Sequence, residues 1–114
     1  MSGMLGLDTE DCAAFVACRV NWEKLKDLKG KAGFLCDVLV REQVRYLHVC
    51  GALDETGDTG EGEYDEDDAA EFLLDALIRA EPTDDKGEMR YCVLIDQFLP
   101  LFDDYLLING LLTF

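Results

Sequence analysis

A chain of 114 residues suffices for one domain with a modest core, and its 49% hydrophobic content argues against a disordered acidic tail. Its formal charge of −15 argues against binding nucleic acid or an anionic membrane surface through a basic face. All of that charge sits in one half: residues 1–50 carry seven acids and seven bases, whereas residues 51–114 carry eighteen acids against Arg79, Lys86 and Arg90.

Met1 to Leu7 is short and contains glycine, which predicts a frayed terminus. Asp8 and Thr9, followed by Glu10 and Asp11, form a helix-start signal. Phe15, Cys18, Trp22, Leu25 and Leu28 then recur at spacings of three and four, the apolar stripe of a first helix. Lys24, Lys26, Lys29 and Lys31 suit the negative end of its dipole, and Gly30 and Gly33 are its expected stop. From Ala32 to Cys50, Asp37, Arg41, Arg45 and His48 step by four, four and three, opposite Phe34, Leu35, Val38, Leu39, Tyr46 and Leu47. A strand would put Asp37 and Leu39 on one face, so a second helix ending at Gly51 is predicted.

Asp54 to Asp68 reads DETGDTGEGEYDEDD, with nine acids in fifteen residues and no base. Its glycines predict a flexible acidic loop over 54–64, while Asp65 to Asp68 fit the positive end of a third helix that runs to Glu81 before Pro82. Phe72, Leu73, Ala76, Leu77 and Ala80 are its expected buried side, with Asp68, Glu71 and Asp75 opposite. Tyr91, Ile95, Phe98 and Phe102 mark a fourth helix, with Pro100 as an expected break or kink. Asp103 to Phe114 fits either a short helix over Tyr105–Ile108 or a hairpin turning at Asn109-Gly110. The expected fold is all-α: a single domain over 1–114, built as a compact bundle of four to five short helices with the acidic loop in the middle. The alternative is an α+β fold with a C-terminal hairpin.

Catalytic chemistry is sparse. Ser2 is the only serine and His48 the only histidine, which leaves no Ser-His-Asp triad and no marked Cys-His pair. Cys12, Cys18, Cys36, Cys50 and Cys92 form no even framework and no C-x-x-C, so reduced thiols in a cytoplasmic setting are expected. For a viral product that setting is the host cytosol or nucleus. No signal peptide is visible, and no apolar run approaches the ~18 residues that span a bilayer. The cysteine and histidine spacings match no common zinc module. An EF-hand frame with Gly60 at the turn puts Glu66 at position twelve but leaves Glu55, Gly57 and Thr59 at positions one, three and five, so neither a metal nor a cofactor is expected.

Charge density locates the expected binding site. Duplex DNA carries about one charge per 1.7 Å of axis. The extended loop offers about one per 5.5 Å, whereas Asp65, Glu66, Asp67, Asp68, Glu71 and Asp75 along a helix offer about one per 2.7 Å. These six acids, with Tyr64 as an apolar anchor, are the expected contact with a basic protein surface. They imply a non-enzymatic inhibitor or immunity-type factor covering a nucleic-acid-binding site, a role common among phage and viral accessory proteins. The run RVNWEKLKDL with FLCDVLVREQV (Arg19 to Val44) resembles the first two helices of a caspase-recruitment domain, and EFLLDALIRAE (Glu71 to Glu81) is similar to its fourth. That resemblance covers about half the chain. It implies a self-associating adaptor as the alternative, a homo-oligomer joining Lys24, Lys26, Lys29 and Lys31 to the acidic face.

Overall fold

A computed structural model describes residues 8–51 and 62–109. Asp8 starts the first helix, α1 (Thr9–Arg19), its carboxylate accepting from the Glu10 and Asp11 amides at 3.0 and 3.1 Å. Such a cap satisfies amides that have no helical partner. The continuous first helix predicted to reach Gly30 is interrupted. Val20 is extended, the Asn21 amide donates to Gln97 Oε1 at 2.7 Å, and the indole of Trp22 donates to the Ala17 carbonyl at 2.8 Å. Asn21 then caps a 3₁₀ segment, Trp22–Lys31, kinked at Leu25. This break shifts the apolar phase: Cys12, Ala13 and Val16 face the core, and Cys18 points to solvent.

The 3₁₀ segment passes directly into α2 (Ala32–Val49), so Gly33 lies in the first turn of α2 and not at a stop. Gly51, at φ 83°, ends α2 as predicted, in a left-handed conformation that glycine adopts without strain. Leu35, Cys36, Leu39, Val40, Tyr46 and Leu47 are buried on its inner side, while Phe34 stays half exposed. The third helix, α3 (Glu66–Ala80), begins where the run of acids predicts. Its buried side is Ala69, Leu73, Ala76 and Leu77; Phe72 is half buried and Ala80 exposed.

The fourth helix, α4 (Asp85–Ile108), runs unbroken through Pro100 to the end of the described chain. Proline leaves the carbonyl four residues earlier without its helical donor, which here is that of Asp96. Both residues lie on the exposed side, where a carbonyl without its helical donor is open to solvent. The inner side, with Leu94, Ile95, Phe98, Leu99, Phe102, Tyr105 and Leu106 buried, holds the helix continuous through the defect. Tyr105 to Ile108 are therefore the last turn of α4, neither a separate helix nor a hairpin strand; residues 110–114 lie outside the described chain.

The fold is all-α among the described residues, with no strand. Buried residues from α1, the 3₁₀ segment and all three later helices form one core. Tyrosine hydroxyls tie its edges: Tyr105 donates to Asp11 at 2.9 Å, Tyr91 to the Glu81 carbonyl at 2.8 Å, and Tyr46 to the Asp65 carbonyl at 3.2 Å. In the first turn of α4, Asp84 accepts from the Gly87 amide at 2.9 Å and draws the backbone tightly under Thr83. A β-carbon at Gly87 would stand 1.7 Å from Thr83 Oγ1 and 2.7 Å from its Cβ. Gly87→Ala is thus expected to destabilise the fold by about 1–2 kcal/mol despite the better helix propensity of alanine. Urea denaturation would read the loss, and adding Thr83→Gly should recover most of it.

Candidate partner-binding face

The acids at the start of α3 divide into those that build the helix and those free for other work. Asp65 is its cap: one carboxylate oxygen accepts from the Asp67 amide at 2.9 Å and the Asp68 amide at 3.4 Å. Glu66, Asp67 and Asp68 sit against the positive end of the helix dipole, where negative charge stabilises the fold in its own right. All six predicted acids are exposed, and Asp68, Glu71 and Asp75 follow one another at helical spacing along the outer side.

Tyr64, expected from the sequence to be an exposed anchor, is half buried. Its hydroxyl accepts from Gln43 Nε2 at 3.0 Å, and its ring meets that of Tyr46 edge to face at 5.8 Å. Burial pushes its hydroxyl up to about 12. A small apolar notch lies between α3 and α4. Ala70, Leu74, Cys92 and Ile95 floor this notch of about 150 Å³, and Glu71 from α3 and Asp96 from α4 stand at its rim.

Asp96 and Asp103 lie beside the α3 acids, an adjacency that the sequence reading missed. They are seven residues apart on α4, two full turns, and both are exposed. Their spacing was a usable signal, hidden because the run between them, Gln97 to Phe102, is mostly apolar and reads as core. Partial desolvation raises the carboxyl of Asp103 above the usual range, and the charges of Glu66 and Asp104 raise it further. Asp103 and Asp104 also lie near the negative end of the α4 dipole, whose last turn carries no base. This arrangement opposes folding. The α4 acids extend the α3 acids into a ridge running over both helices.

The lysine tip has a different character. Lys31 is paired with Glu81, which neutralises one of the four lysines within the chain, while Arg90 reaches Asp27 at 2.9 Å and neutralises the acid between them. Lys24, Lys26 and Lys29 are exposed and meet no carboxylate among the described residues. Lys26 and Lys29 border a shallow cavity of about 320 Å³ beside Trp22.

Cys12 and Cys36 are fully buried, and burial pushes both thiols up to about 12, far from the thiolate that a nucleophile requires. His48 is exposed on α2, and the Cys50 thiol donates to the Leu47 carbonyl. Among the described residues no three His, Cys, Asp or Glu side chains are grouped to hold a metal. Most of the EF-hand frame from Glu55 lies outside them. No helix among the described residues is long and apolar enough to cross a membrane. No family model, curated protein or solved structure matches the chain.

Proposed function

We propose that this chain is a non-enzymatic acidic binding protein that covers a positively charged, nucleic-acid-binding type of surface on a partner protein, as an inhibitor or immunity-type factor does. The observation that supports this reading best is the row of exposed acids on α3 continued by Asp96 and Asp103 on α4 beside an apolar notch; burial first, and then the charges of Glu66 and Asp104, raise the Asp103 carboxyl. Like charges held together at a cost to the fold are relieved when a cation arrives, and a basic partner supplies it. Glu71 and Asp96 complete the arrangement at the notch. A partner lysine or arginine lays its aliphatic stem along Leu74 and Ile95 and brings its charge to the two carboxylates. The wider negative field speeds encounter, and the desolvated notch slows escape.

Fluorescence anisotropy with a labelled ten-residue peptide of alternating Lys and Leu tests this directly. Changing Glu71→Gln, Asp96→Asn and Asp103→Asn together is expected to weaken binding about tenfold and flatten its salt dependence. A control removing the same number of charges at Glu10, Glu23 and Asp85 should cost much less. Equal losses in the two triple variants would overturn the assignment of the ridge. The ridge variant should also fold at least as stably as wild type at pH 7. Relief of repulsion at Asp103 contributes up to about 0.5 kcal/mol, the scale of an exposed charge pair.

A further inference from the structure

On the other side of α3 the chemistry reverses. α2 and α3 leave a groove of about 470 Å³ between them, lined by Arg41, Arg45 and Arg79 above a floor of Phe34, Val38 and Ala80. Three of the chain's five arginines thus converge on one groove of a protein whose net charge is −15. Even with Asp37 and Glu42 in its wall, the lining is net positive by one.

The guanidinium groups are oriented without being used up. Arg41 donates through Nε to Asp37 at 3.2 Å, Arg45 through Nη1 to Glu42 at 3.4 Å, and Arg79 through Nε to the Asp75 carbonyl at 3.4 Å. Each guanidinium has five N–H donors, so most remain available to a ligand. The Asp37 and Glu42 pairs join neighbours on one helix with exposed arginines, contribute only tenths of a kcal/mol, and exchange readily for a better acceptor. Arg45 is further held 5.7 Å from the centroid of the Phe72 ring. Arg79 meets no carboxylate among the described residues.

Shape and apolar floor narrow the occupant. From Phe34 to Arg45 the α2 wall is about 16 Å long, which matches roughly five residues of extended chain. The arginines are strung along this trough, with Arg41 and Arg45 one turn apart on α2 and Arg79 on the facing helix. A single phosphate would call for forks converging on one point; separated forks suit separated carboxylates, each taken in the planar bidentate geometry. Phe34, 49% exposed, offers a seat for an apolar side chain.

We propose that the α2–α3 groove binds an acidic peptide segment of another protein. Its carboxylates lie on Arg41, Arg45 and Arg79, and one apolar side chain packs on Phe34, Val38 and Ala80. The site is independent of the acidic ridge, and the chain would join a basic surface on one side to an acidic segment on the other.

An array of ten-residue peptides, in which Leu or Phe alternates with Asp/Glu, Asn/Gln, phosphoserine or Lys, provides the test. Wild type is expected to retain the Asp/Glu peptides. Arg41→Gln/Arg79→Gln should weaken that retention about tenfold or more, and Ala80→Trp should do the same by filling the floor without changing charge. Circular dichroism would establish that both variants are folded; all three positions are exposed. Absence of binding to Asp/Glu peptides, unchanged binding by the variants, or retention of phosphoserine peptides alone would each overturn the proposal. The Lys peptides report the ridge separately, so failure at one site is distinguishable from failure at the other.

Discussion

Phe98→Ala is expected to remove about 3–5 kcal/mol of stability, the range for truncating a buried aromatic ring. Phe98 is fully buried at the middle of α4, its ring centroid 5.5 Å from that of Phe102. The fold depends on it for a second reason. Pro100 lies two residues later and removes a backbone hydrogen bond, so the inner side chains of α4 carry the continuity that the backbone lacks there. Small domains have only about 5–15 kcal/mol in total, and this loss takes a large share. A urea midpoint lowered in proportion, with retained slope, is the expected result. A loss below about 1 kcal/mol would mean that α4 does not pack as described.

The second large effect is alkaline. Burial pushes Cys12 and Cys36 from 9.0 up to about 12, so the folded state keeps protons that the unfolded chain releases. A raised folded pKa gives stability that is complete below the unfolded value and is lost as pH rises toward the folded one. Stability should therefore hold up to about pH 9 and then fall by up to about 1.4 kcal/mol per pH unit for each thiol. Tyr64, also raised to about 12, adds to the decline above pH 10. Melting temperatures at pH 8 and 10.5 would show it. Cys12→Ala/Cys36→Ala should start lower, because of the cavities, yet fall less between the two pH values. An undiminished fall in that variant would place the alkaline sensitivity elsewhere.

What the sequence made legible was local. The periodicity of α2, the acidic start of α3 and the glycine after α2 are set by neighbours within a turn or two, and their boundaries were readable to within a residue or two. The first helix was misjudged because its interruption depends on Gln97, 76 residues from Asn21. Pro100 was misjudged for the complementary reason. A local rule predicts a break, and burial of the opposite side of α4 overrides it. The candidate face shows the same divide. Acidity along α3 was legible, but Asp65 as a cap follows from backbone geometry, and the half-burial of Tyr64 follows from Gln43 and Tyr46. The notch and the arginine groove join residues of two helices each, which no single stretch of sequence displays.

The hydrogen bond from Tyr105 to Asp11 brings together residues 94 apart in the chain. Around it Phe15 and Tyr105 pack edge to face at 5.3 Å, so the last turns of α4 lie on α1. In space the four helices close on themselves, and the order in which the chain visits them is only the place where the circle has been cut. The ridge and the arginine groove lie on opposite flanks of α3. A chain joined across the α1–α4 seam and opened between α2 and α3 would keep the helix neighbours that form both surfaces.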